Sequence, residues 1–196
     1  MSNQTRLIER QIQDSINLKK KVLSSQVGQI QKASAVLNKA LKGGHKIFFC
    51  GNGGSAADAQ HLAAELIVRL RNKSKVRPLP ALALTTNSSI LTACSNDFGF
   101  DHVFSRQIEA LGQKGDVLFA ISTSGKSKNV IRACQVAQKK GLKVVSLLGK
   151  DGGGQARYSD CKMNVPSGDT PRIQEVHITL GHIICDLIVR KFSGTR

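Results

Sequence analysis

The stretch Asp116-Val117-Leu118-Phe119-Ala120-Ile121-Ser122-Thr123-Ser124-Gly125-Lys126-Ser127 decides the fold. An apolar run of strand length passes directly into a turn of small hydroxylated residues and a glycine. Helical periodicity follows from Ser127 to about Lys140. Four hydroxyls (Ser122, Thr123, Ser124, Ser127), Gly125 and a helix start converge within six residues. The unsatisfied N–H groups and dipole of a helix start favour an anion. Small hydroxylated side chains let a phosphate approach and add donors. The turn does not have the G-x-x-x-x-G-K-[ST] spacing of a nucleotide P-loop. Capping alone would need one hydroxyl, at Ser124 or Ser127; the surplus points to phosphate.

The same strand–turn–helix pattern recurs on both sides. Lys46 to Cys50 predicts a strand, followed by the turn Gly51-Asn52-Gly53-Gly54-Ser55 and a helix to about Arg69. Ala81 to Leu84, Lys143 to Leu148 and Lys162 to Val165 predict further strands. Helices are expected near 88–95 and 101–112, and a long one over roughly 172–192. Short apolar strands alternating with helices imply a five-stranded parallel sheet covered on both faces, an α/β three-layer sandwich. Ligands in such sheets bind at the carboxyl ends of the strands, where the turns 51–55, 122–127 and 149–154 fall. The segment 71–80 reads as an exposed loop. Residues 1–44 read as a pair of helices, with apolar residues at Leu7, Ile8, Ile12 and Ile16 and again from Val27 to Leu41, ended by Gly43-Gly44. Neither helix can bury its stripe alone, so the pair is expected to serve subunit packing. With 196 residues the chain fits one domain, helices over 1–44 and an α/β core over 45–196.

Composition narrows the function. At 40% hydrophobic residues the chain is globular. It has no apolar run long enough for a membrane span, and Met1 to Asp14 is polar, unlike a signal peptide. A cytosolic location is expected. The five cysteines are widely spaced, without a C-x-x-C pair, and are expected to be buried thiols. The net charge is +16, with seven Lys and no acid between Asp14 and Asp58. Such a surface attracts anions. With no Trp and one Tyr it lacks stacking platforms, so specific nucleic-acid binding is not expected.

The turn 51–55 allows close approach of backbone to a ligand, and equally a simple tight turn. It lacks the dinucleotide fingerprint, having neither G-x-G-x-x-G nor an acid about 20 residues on. His61 and Glu65 lie at i and i+4 on the following helix and share a face, with Asp58 one turn earlier. Such a pair can hold a divalent metal, act as acid and base, or be a surface ion pair. The last helix carries Gln174, Glu175, His177 and His182. Gln174 and His182 are eight residues apart, roughly 12 Å along a helix, too far to reach one ion from one copy. If both serve one ion, a neighbouring subunit must supply one of them.

Several stretches together carry a resemblance. They are Cys50-Gly51-Asn52-Gly53-Gly54-Ser55 with Ala57-Asp58-Ala59-Gln60-His61, Glu65-Leu66, Asn96-Asp97-Phe98-Gly99-Phe100, Ile121-Ser122-Thr123-Ser124-Gly125-x-Ser127, Gly149-Lys150-Asp151-Gly152-Gly153 and Arg172-Ile173-Gln174-Glu175-x-His177. In register over nearly the whole chain, they resemble the phosphoheptose isomerases of the sugar isomerase (SIS) fold. The resemblance implies interconversion of sedoheptulose 7-phosphate and D-glycero-D-manno-heptose 7-phosphate through an enediol(ate), the first step toward nucleotide-activated heptose for lipopolysaccharide or surface polysaccharide. It implies a homotetramer with sites between subunits. Ser122, Thr123, Ser124 and Ser127 would hold the phosphate, with Ser55 nearby, and Asn52, Gly53, Gly54, Asn96 and Asp97 would line the sugar. His61, Glu65, Gln174 and His182 match zinc positions, one ion per subunit; Glu65 and His182 match the proton-transfer pair, and Glu65 and Gln174 also contact substrate. Some members carry Asp directly before Arg-Ile-Gln, where this chain has Pro171. The nearest rival is a DnaA-binding replication regulator of the same fold, which resembles the isomerase but lacks its Glu and last-helix His. A sugar-phosphate-sensing domain of the kind fused to helix-turn-helix regulators is a second rival, but no DNA-reading segment is apparent.

Overall fold

The strands alternate strictly between two apolar layers. In β1 (Ile47–Cys50), Ile47 and Phe49 point into one core while Phe48 and Cys50 point into the other. β3 (Val117–Ser122) repeats this, with Val117, Phe119 and Ile121 on the first side and Leu118 and Ala120 on the second. Apolar residues on both sides demand cover on both faces, and among the described residues six helices supply it. The computed structural model describes residues 2–68, 70 and 77–193. Most of the predicted loop 71–80, with the basic residues at 71–76, lies outside the described residues.

The other strands are β2 (Ala81–Ala83), β4 (Lys143–Gly149) and β5 (Cys161–Val165). All neighbours pair in parallel in the order β2-β1-β3-β4-β5, giving the expected five-stranded sheet. The first face is covered by α1 (Asn3–Lys42), α2 (Gly54–Ile67) and α6 (Thr170–Phe192). The second is covered by α3 (Ser88–Phe98), α4 (Ser105–Leu111) and α5 (Lys128–Lys139). Short 3-10 turns stand at Phe100–His102 and Gly153–Tyr158. The five cysteines are buried thiols, as expected; burial pushes Cys134 and Cys185 up to about 12.

One expectation is corrected. The amino-terminal segment is not a helical pair but a single helix of 40 residues. Between the two apolar stretches, Ser24 and Ser25 turn their hydroxyls back to the Lys21 carbonyl and leave the helix intact. Gly28 sits mid-helix with open space around it, at a cost of only about 1 kcal/mol relative to Ala. From Leu18 onward α1 packs on the body, through Leu18, Val22, Ile30, Leu37 and Leu41. The first half leaves Leu7, Ile8, Ile12 and Ile16 exposed. Arg172 at the start of α6 reaches across to the Gln11 carbonyl at 2.8 Å.

Asp116, immediately before β3, locks the two central strands at their starts. It is 1% exposed, accepts from the backbone N–H of Lys46 (3.0 Å) and Gln113 (2.9 Å), and pairs with the Lys46 ammonium at 2.8 Å. Burial pushes its carboxyl up, but these bonds outweigh burial and hold it below the usual carboxylate range. A depressed folded pKa gives stability that is present above the unfolded value of about 4 and is lost as pH falls through the folded value. Asp116→Asn should therefore cost about 2–3 kcal/mol at pH 7 in urea unfolding, with the gap to wild type narrowing below about pH 4.

Candidate active site

The strand order reverses between β1 and β3: the chain leaves β1 toward β2 on one side, and β3 begins the run outward on the other. The crevice at such a switch point is where open α/β sheets take ligands. Both glycine- and hydroxyl-rich turns open there. Cys50 is level with Ala120 in the register, so 51–55 and 122–127 leave the sheet side by side.

The turn after β3 is built for close approach. Ser122 Oγ accepts the Gly125 N–H at 3.1 Å and lies 3.3 Å from Ser127 Oγ. Ser124 Oγ accepts the Lys126 N–H at 3.1 Å. Ser127 occupies the N-cap position of α5, yet its hydroxyl makes no capping bond. The capping role considered for Ser127 is thus not used, and that hydroxyl remains available at the helix start. Thr123 and Ser124 are half-buried. Backbone packs directly on backbone behind the turn: Gly125 has φ +61, and a Cβ there would lie 2.0 Å from the Gly152 carbonyl oxygen. Gln155, fully buried, donates its N–H to the Gly125 carbonyl (3.0 Å) and its amide to Ser146 Oγ and the Ala120 carbonyl. Loop 149–154 therefore forms the rear wall of the turn.

Ser55 is buried at the start of α2, while Gly53 and Gly54 are exposed. Asn52 is paired with Asn129 of α5 (Nδ2 to Oδ1, 2.9 Å; the reverse bond, 2.8 Å). The Gln174 amide lies directly over Gly54, where a Cβ would meet its Nε2 at 2.6 Å. Asn96 donates to Asp97 at 2.8 Å, and Asp97 lines a cavity of about 360 Å³ between α3 and α4 with Ile90, Phe98 and Arg106. Both residues belong to α3 rather than to the turns of the crevice.

His61, Glu65 and His182 come together although the two histidines are 121 residues apart. α6 can lie close on α2 because Gly181 faces Leu62 without a side chain; a Cβ there would lie 2.7 Å from Leu62. His61 Nε2 stands 2.8 Å from His182 Nε2 and 3.2 Å from Glu65 Oε1. The second Glu65 oxygen is buried without a partner. All three donor atoms lie within 4.8 Å of one another, in an open groove that also includes Ile183 and Asp186. Two imidazole nitrogens facing each other beside a carboxylate fit a divalent cation, which His61, Glu65 and His182 would hold. Beneath them Cys185 remains a thiol, its pKa raised by burial and by the Glu65 charge. Asp58, one turn before His61, is pushed up to about 6 by burial, which the neighbouring His61 partly offsets.

The Gln174 amide lies at the start of α2. It sits over Gly54, seven residues before His61, or roughly 10 Å along α2. Asp169, two residues before Pro171, is the N-cap residue of α6 but makes no side-chain cap. Sequence reasoning missed Asn129 and Gln155. Each lies buried in the wall of the crevice, and neither stands in a pattern that distinguishes it from an ordinary polar residue.

A family model for the SIS domain matches residues 12–149. Over 191 residues the chain is 47% identical to the phosphoheptose isomerase of Clostridium acetobutylicum, covering 96% of both chains. Its structure superposes on that of the phosphoheptose isomerase from Neisseria gonorrhoeae with a TM-score of 0.88 at 45% identity, covering 95% of this chain and 98% of that one. The Francisella tularensis phosphoheptose isomerase gives 0.91 at 33% identity, covering 97% and 100%.

The chain belongs to the phosphoheptose isomerase family of SIS-domain proteins.

Membership makes it a sugar-phosphate isomerase, and the phosphoheptose isomerase likeness extends past residue 149 to include α6, the source of His182. Among the described residues no helix is long and apolar enough to cross a membrane. In this member of the phosphoheptose isomerase family the rear wall of the hydroxyl turn tolerates no side chain at Gly125. Gly125→Ala is expected to lose about 2–4 kcal/mol of stability, from the left-handed backbone and the clash with Gly152 together, read as a lowered Tm.

Proposed function

We propose that the chain interconverts sedoheptulose 7-phosphate and D-glycero-D-manno-heptose 7-phosphate, in the cytoplasm, as the first step toward nucleotide-activated heptose for lipopolysaccharide or surface polysaccharide. One observation carries this reading: a hydroxyl turn suited to phosphate and a His–Glu–His trio suited to proton transfer occur in the same chain.

In this reading the hydroxyls of Ser122, Thr123, Ser124 and Ser127 and the start of α5 hold the phosphate, with Ser55 close by. Backbone at Gly53 and Gly54, with Asn52, Asn96, Asp97 and Gln174, lines the sugar. Glu65 acts as base, taking a proton from C1 of the ketose and returning it to C2. His182 serves the oxygens, protonating the C2 carbonyl as the enediol forms and accepting the proton released from O1 as the aldehyde forms. Protons and electrons balance, since the two sugars are isomers. His61, Glu65 and His182 would hold zinc, and bound there it would supply Lewis-acid stabilisation of enediolate charge.

Gln174 completes this set from a neighbouring subunit of a homotetramer, its own chain having placed it over Gly54. The exposed Leu7, Ile8, Ile12 and Ile16 on α1 support such an assembly, because an unpartnered apolar stripe on a long helix favours packing against another copy. The DnaA-binding reading is disfavoured by the presence of both Glu65 and His182.

Proton NMR of sedoheptulose 7-phosphate with the purified protein should show the aldose product. Glu65→Gln should lower turnover by at least about 10³-fold while substrate still binds; near-normal turnover would remove Glu65 from the role. Elemental analysis of the dialysed protein should find one zinc per chain, and His61→Ala should lose most of it. Full zinc retention in that variant would exclude the trio as the metal site.

A further inference from the structure

Asn129 lies in the first turn of α5 and is 2% exposed. Its carboxamide makes a two-way pair with that of Asn52, and its Oδ1 also accepts the Val130 N–H at 2.9 Å. One buried side chain thus joins the helix start behind the hydroxyl turn to the glycine loop after β1. The helices that follow these two loops cover opposite faces of the sheet, and the amide pair spans the crevice between them. Asn52 has its Oδ1 and one N–H committed to this pair, which leaves one N–H for anything else. The next residue, Gly53, has φ +55 and caps α2 without a side-chain bond, so the loop depends on Asn52 for lateral support.

We propose that Asn129 is a positioning residue for the isomerisation. Through Asn52 it sets the backbone of Gly53–Ser55 relative to the phosphate turn, so that a sugar anchored by its phosphate meets the glycine loop in one register. Asn52 is then chiefly a brace, and the loop's contribution to the sugar comes from its backbone. This inference rests on the sugar-phosphate reading above.

Asn129→Asp is the informative variant. It retains acceptors for Val130 and for the Asn52 N–H, but sets an oxygen against Asn52 Oδ1 where an N–H had donated. The expected result is a fall in kcat/KM of at least about tenfold at a temperature where the variant is fully folded, with inorganic phosphate inhibiting as in wild type within about twofold. A purely structural role would lower Tm and leave kcat/KM unchanged. Hydrogen exchange gives a readout that does not need turnover. Saturating inorganic phosphate should slow exchange at 53–56 as well as 123–128 in wild type, and only at 123–128 in the variant. Protection of 53–56 that persists in the variant, or kcat/KM within twofold of wild type, would overturn the proposal. If wild type fails to convert heptose phosphate, the functional reading fails and the exchange result alone decides the brace. Should Asn129→Asp not fold, Asn129→Ala removes both bonds of the pair and carries the same expectation.

Discussion

The pairing of β1 with β3 is the constraint on which the ligand end of the molecule depends. Their register places Cys50 beside Ala120, so two strands distant in sequence end nearly level. The chain then leaves β1 for α2 on one face and β3 for α5 on the other. Two short turns are left open side by side, with helix starts behind them and no side-chain bulk at their glycines. Asp116 and Lys46 secure the opposite end of this same pair of strands, so the register is fixed at the far end from the ligand. A slip of one residue would interchange the two apolar layers and remove the crevice.

The proton-transfer group depends on a second contact, between α2 and α6. His61 and Glu65 share a helical face by spacing, but His182 reaches them only because α6 approaches over Gly181. The nitrogen–nitrogen separation of 2.8 Å and the unpartnered Glu65 oxygen form an arrangement that is incompletely satisfied by the protein alone. Such groups favour a cation or a substrate oxygen, which the proposed chemistry supplies. Gln174, by contrast, is turned toward Gly54.

Much of this was legible in the sequence, for physical reasons. Apolar runs ending in glycine and hydroxyl turns fixed the order of strands and helices, because a sheet buried on both faces needs uninterrupted apolar residues. His61 and Glu65 were found by their four-residue spacing. Three features were not legible. The continuity of α1 between its two apolar stretches is one, since nothing local shows that the hydroxyls of Ser24 and Ser25 bond back into the helix. The meeting of His182 with His61 depends on how two helices cross, which no local pattern encodes and which only the family resemblance implied. Asn129 and Gln155 act through tertiary hydrogen bonds, and each alone looks like an ordinary polar residue.

The central claim is that one substrate spans the hydroxyl turn and the histidine–glutamate group. A crystal structure of the zinc-loaded Glu65→Gln protein with sedoheptulose 7-phosphate tests it most directly. The expected result has the phosphate within hydrogen-bond reach of Ser122, Thr123, Ser124 and Ser127, and C1 and C2 beside residue 65 and His182 of the same or a neighbouring subunit. A phosphate seated elsewhere, or reacting carbons remote from every copy of that group, would contradict it.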